Sequence, residues 1–89
     1  MPNTVFKPIE IMKPVPVRSS SLAYVAYDSR RKILQVEFRD GTVYQYATVP
    51  VQTYHDLLRA DSKGSYFNHC IRSCYPHAAL RPAPPSASV

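Results

Sequence analysis

Two tyrosines two positions apart, Tyr44 and Tyr46, and two polar residues four apart, Asn68 and Arg72, are the groups in this chain best suited to holding a ligand. Phenol rings on an open sheet face are platforms on which nucleic-acid bases stack. A guanidinium can grip a phosphate or carboxylate through two parallel hydrogen bonds. Asn68 and Arg72, at helical spacing, would share one helix face. Arg30-Arg31-Lys32 is the only basic run. In a hairpin loop it would contact phosphates, which gives affinity without reading sequence. Lys63 and Arg72 would make a second basic edge beside a helix. Each group also has a plainer reading: core tyrosines, a solvated loop, and a structural hydrogen bond or salt bridge at a helix end.

Catalysis finds less support. His55-Asp56 and Ser19-Ser20-Ser21 supply residue types used in triads. Adjacent helix residues point in different directions, so His55 and Asp56 would not orient each other. There is no paired-carboxylate signature, no Gly-rich phosphate loop and no known metal motif. Cys70 and Cys74, flanked by His69 and His77, could begin a zinc site, but C-x3-C is poor spacing and a fourth ligand is missing. Small apolar core residues account for both cysteines more simply. The expectation is a protein that is not an enzyme and carries neither metal nor cofactor.

These groups need elements to position them, and three runs read as strands. Leu22 to Tyr27 is rich in aromatic and β-branched residues. Ile33 to Phe38 alternates, with Leu34, Val36 and Phe38 on one side and Gln35 and Glu37 on the other. Thr42 to Ala47 carries Tyr44 and Tyr46 with period two. Asp28 to Arg31 or Lys32 joins the first pair and Asp40-Gly41 the second, predicting a three-stranded antiparallel meander. Pro50 suits a first helical turn, and Val51, Tyr54, Leu57 and Leu58 follow at helical spacing. Asp61 to Gly64 breaks the pattern, and Ser62 or Ser65 would cap a second helix. The apolar face of that helix would be Phe67, Cys70, Ile71 and Cys74, with Pro76 stopping it. The fold class is α+β, a meander followed by two short helices on one face.

One turn decides what the tyrosines do. A two-residue Asp40-Gly41 loop sets Glu37 opposite Tyr44 and leaves both rings on an open face. A three-residue Arg39-Asp40-Gly41 loop with a Gly bulge sets Val36 opposite Tyr44 and turns both rings beneath the helices, because a slip of one residue swaps the faces. The bulge is favoured. Gly41 suits its left-handed position, and it gathers five large side chains whose burial is worth roughly 1.5–3 kcal/mol each.

The 89 residues suffice for one domain. Residues 1–18 hold four of the nine prolines and read as an extended arm, with Ile9 and Ile11 against a sheet edge. Residues 19–76 are the folded domain. Residues 77–89, with Pro82, Pro84 and Pro85, read as a disordered tail. The formal net charge of +5 favours an anionic partner, although from Ser19 to Tyr75 seven cationic residues meet five acidic ones. Two cysteines are no disulfide scaffold, and Lys7, Pro8, Glu10 and Lys13 interrupt any signal-like apolar run. No membrane span is present and a cytoplasmic location is expected.

The combination Val25-Ala26-Tyr27-Asp28, Leu34-x-Val36-x-Phe38-x-x-Gly41-x-x-Tyr44-x-Tyr46, Val49-Pro50 and Ser62-x-Gly64-x-Tyr66-Phe67-Asn68-x-x-Ile71-Arg72 resembles the KTSC domain. Ala26 stands where that family would have Gly. The domain is named for its place at the C-terminus of some lysyl-tRNA synthetases and also occurs as a stand-alone bacterial protein. The resemblance implies no established activity, and the fusion to a tRNA enzyme suggests RNA only by association. The reading is a small binding module for RNA or another phosphate-bearing ligand, through Arg30, Arg31, Lys32, Tyr44, Tyr46, Lys63, Asn68 and Arg72. The alternative is a protein-interaction module that uses the N-terminal arm or a sheet edge. Oligomeric state is not legible.

Overall fold

The computed structural model describes residues 14–81. Its centre is the expected meander, formed by β2 (Leu22–Asp28), β3 (Ile33–Phe38) and β4 (Val43–Tyr46). The β2–β3 hairpin turns on Asp28, whose Oδ1 accepts the backbone N–H of Arg30 at 3.0 Å and of Arg31 at 3.3 Å. Such a side-chain bond replaces the backbone partners a turn cannot supply.

The β3–β4 turn takes the bulged register. The Phe38 N–H donates to the Thr42 carbonyl at 2.8 Å, and the Gly41 N–H donates to the Phe38 carbonyl at 2.9 Å. Gly41 adopts φ 96°, a conformation only glycine enters without steric cost. Val36 therefore lies opposite Tyr44 and Leu34 opposite Tyr46. Both tyrosines face the helices, and the open-face platform does not form.

Among the described residues the sheet has five strands rather than three, in the order β1 to β5. Val15–Pro16 forms β1 against β2. Pro16 has no N–H, which suits an edge position. His77–Arg81 forms β5 against β4. The first part of the expected disordered tail is thus a strand, and the rest of that tail, residues 82–89, lies outside the described residues. Without β5, β4 would leave a row of unpaired backbone groups at the sheet edge. Ile9 and Ile11, expected beside a sheet edge, also lie outside the described residues.

Helix α1 (Val51–Arg59) follows Pro50. It buries Leu57, half-buries Tyr54 and Leu58, and leaves Val51 exposed. Helix α2 (Lys63–Cys70) begins at Ser62, whose Oγ accepts the Ser65 N–H at 3.3 Å. It ends six residues before Pro76, so Ile71 to Tyr75 form turns instead of a final helical turn. Cys70 still packs at the core margin, but Cys74 is exposed and not part of a helix face. Gly64 sits so near Ser21 that a Cβ there would lie 2.6 Å from its Oγ. The start of α2 is thereby pressed against the entry to β2.

One core joins the layers. Leu22, Val25, Leu34, Val36, Tyr46 and Val49 pack with Leu57, Phe67 and Ile71 from the helices. The Tyr27 ring stacks on Tyr54 at 4.9 Å, and its hydroxyl donates to the Val49 carbonyl. Since the bulge sets which tyrosines enter this core, Gly41→Val should cost about 1–3 kcal/mol. Thermal unfolding should register at least a 4–8 °C fall for a domain this size. An unchanged melting temperature would show that the turn does not depend on its left-handed residue.

Candidate functional site

Strand β4 and helix α2 diverge near the β3–β4 turn, and a cleft of about 520 Å³ opens between them. Tyr44, Tyr46, Phe38 and Phe67 line its apolar part. The Phe67 ring stands edge-on to Phe38 and to Tyr46, with both centroid separations 5.4 Å. Tyr44 and Tyr46 lie 6.3 Å apart with their planes tilted by 28°. Tyr46 is only 3% exposed, whereas Tyr44 is half-buried and keeps surface toward the cleft. His77, opposite Tyr46 in β5, closes one side, its ring 5.1 Å from Tyr46 and 5.7 Å from Tyr44.

Asn68, Arg72 and Ser73 form the polar wall. Asn68 is on the last turn of α2 and Arg72 just beyond it, so the two do not share one continuous helix face. The chain nevertheless brings them together. The Arg72 N–H donates to the Phe67 carbonyl at 2.9 Å, which ends the helix and holds Arg72 beside it. Arg72 Nη1 then lies 3.5 Å from Asn68 Oδ1, at the outer limit of a hydrogen bond. The guanidinium is exposed and retains most of its five donors for a ligand. Across the cleft are Asp40 and Thr42. Asp40 Oδ1 accepts the Thr42 N–H at 2.9 Å, and this bond holds the carboxyl below its usual range.

Four of the eight residues singled out from sequence (Tyr44, Tyr46, Asn68 and Arg72) therefore line one cavity. The others do not. Arg30, Arg31 and Lys32 are exposed at the β2–β3 turn, at the opposite end of the six-residue β3, roughly 20 Å away at the rise of an extended strand. Lys63 Nζ donates to the Ala60 carbonyl at 3.0 Å, an end-of-helix contact away from the cleft. His55 is exposed, while Asp56 accepts from Gln52 at 2.9 Å and pairs with Arg59 at 3.0 Å. Among the described residues no three His, Cys, Asp or Glu side chains gather as metal ligands. None of the described helices is long and apolar enough to cross a membrane. Sequence reasoning missed His77 as a wall of the cleft, because the short Ala-rich β5 lacks the β-branched pattern of a strand.

The KTSC domain family matches residues 18–75, most of the described chain. The chain belongs to the KTSC family. An uncharacterised protein of Stutzerimonas stutzeri is 44% identical over 61 residues, covering 68% of this chain and 86% of its own length. The crystal structure of a KTSC domain protein from Yersinia pestis superposes with a TM-score of 0.75 at 31% identity, covering 79% of this chain and 99% of that one. A lysine–tRNA ligase of Nostoc punctiforme is 36% identical over 62 residues. That match takes in 70% of this chain but only 10% of the ligase.

In this KTSC domain the buried phenols carry a pH signature. Burial pushes Tyr46 above the usual phenol range, helped by neighbouring Tyr44 and opposed by the Arg72 cation. Burial also raises Tyr27, Tyr54 and Tyr66. A raised folded-state value means the unfolded chain gives up its phenol protons first, so stability is full below about pH 10 and declines above it. Denaturant midpoints should fall between pH 9.5 and 11.5, and Tyr46→Phe should flatten that fall. A midpoint that does not move across this range would contradict the buried-phenol assignment.

Proposed function

We propose that the domain is a non-catalytic binding module that takes a nucleotide, free or as one unit of an RNA chain, in the cleft between β4 and α2. The carrying observation is that one cavity holds an aromatic wall at Tyr44 and an exposed guanidinium at Arg72. A base has a flat face for the ring, and a phosphate has oxygens for the fork of donors. The volume of about 520 Å³ is within the range of small-ligand pockets. The ligase relative adds weight, since a region like this one makes up 10% of a protein named lysine–tRNA ligase.

The distribution of charge favours one local site over a track for a long strand. Arg30, Arg31 and Lys32 lie too far from Arg72 to follow the same few phosphates. Tyr46 is sealed and serves as the floor that positions Tyr44, leaving one ring for stacking.

Equilibrium titration with mononucleotides, a five-nucleotide single strand and inorganic phosphate, at 20 and 150 mM salt, tests this reading. Binding should be micromolar to millimolar at low salt, with a shallow salt dependence of about one phosphate contact. Arg72→Ala should weaken it at least tenfold, Tyr44→Ala several-fold, and Arg30→Ala with Arg31→Ala hardly at all. No binding of any of these probes at low salt would remove the proposal. A loss on Arg30→Ala equal to that on Arg72→Ala would relocate the site.

A further inference from the structure

The cleft carries a negative group as well as a positive one, since Asp40 stands across it from Arg72. Asp40 Oδ1 is held by the Thr42 N–H at 2.9 Å, and Arg72 Nη1 by Asn68 Oδ1 at 3.5 Å. Among the described residues the two charges therefore line one cavity without pairing with each other. A carboxylate facing a phosphate site weakens phosphate binding unless another part of the ligand makes use of it. Its position is also fixed. Asp40 lies inside the β3–β4 turn, which the Phe38 N–H closes on the Thr42 carbonyl and Gly41 bends at φ 96°. A side chain already bonded to its own turn needs little further ordering to meet a ligand. Thr42 precedes Tyr44 by two residues, so both lie on one side of the strand, about 7 Å apart along it. The carboxylate bonded to Thr42 thus stands at the turn end of the Tyr44 ring.

Taking the cleft as a nucleotide site, we infer that Asp40 reads the base and that the preferred ligand carries guanine. An ionised carboxylate accepts hydrogen bonds and donates none. The bonds from Thr42 favour that ionised form. Guanine presents two adjacent donors on its Watson–Crick edge, N1–H and the N2 amino group, and two carboxylate oxygens can accept both at once. Adenine and cytosine set one amino donor beside a ring-nitrogen acceptor, whose lone pair would face a carboxylate oxygen. Uracil has one donor flanked by two carbonyls. A purine also covers more of the Tyr44 ring than a pyrimidine does. In this arrangement the phosphate lies at Arg72 and the base edge at Asp40. The unlike charges of the two walls then fix which way round the nucleotide enters.

Calorimetric titration of the full chain with GMP, IMP, AMP, CMP and UMP at low salt tests this. GMP should bind about tenfold tighter than AMP, CMP or UMP. IMP keeps N1–H but lacks the amino group, and should fall between. Asp40→Asn keeps an oxygen for the Thr42 N–H, so the turn should survive, but it exchanges one acceptor for a donor. It should reduce the preference for GMP over AMP to about twofold or less, with AMP binding no weaker than before. Equal affinity for all five nucleotides, or a guanine preference that survives Asp40→Asn, would overturn the inference and leave the nucleotide site standing. If none of the five binds, the inference and the nucleotide reading fall together. Should Asp40→Asn fail to fold, the ranking of the five on the unaltered chain decides.

Discussion

The antiparallel pairing of Val36 with Tyr44 is the constraint on which the rest depends. It follows from one extra residue in a turn and one glycine at φ 96°. With that pairing, Leu34, Val36, Phe38, Tyr44 and Tyr46 share a face and give the helices something to pack on. Shifted by one, the same residues would divide between the two faces and the core would lose its largest side chains. The hairpin therefore does two things at once: it fills the interior, and it aims one half-buried ring at a cavity.

The cavity is a by-product of how that core is closed. Helix α2 stops early because the Arg72 N–H turns back to the Phe67 carbonyl, which the Ile71 N–H already engages in the last regular helical bond. The chain then swings away through Ile71 to Tyr75 and returns as β5. Had the helix run on to Pro76, its last turn would have moved Arg72 and Ser73 from their present places in the cleft wall. A short helix, a turn and an added edge strand together leave space beside Tyr44. The family match fixes the fold and its kinship. What enters the space is argued from the chemistry of its walls.

The two sides of the sheet are buried by different means. One has two helices and a ring cluster. The other has a sealed patch of small and amide side chains, among them the Gln35–Gln45 pair.

Much of this was legible in the residues alone. Aromatic and β-branched richness gave β2, period-two alternation gave β3 and β4, helical spacing after Pro50 gave α1, and Ser62 or Ser65 marked the start of α2, since these signals are local and each element carries its own. Asp40-Gly41 narrowed the hairpin to two registers, and the volume of apolar side chains favoured the bulge. The strands β1 and β5 were not legible. A two-residue strand has no period, and His77-Ala78-Ala79-Leu80 has little intrinsic preference. Both exist because the neighbouring edge has backbone groups to pair. Nor could spacing reveal that Tyr44 and Arg72, twenty-eight positions apart, share a cavity while Arg30 lies at the far end of the sheet. Residue types determined which chemistry was available; only the packing of α2 and β5 against β4 decided which of those groups meet.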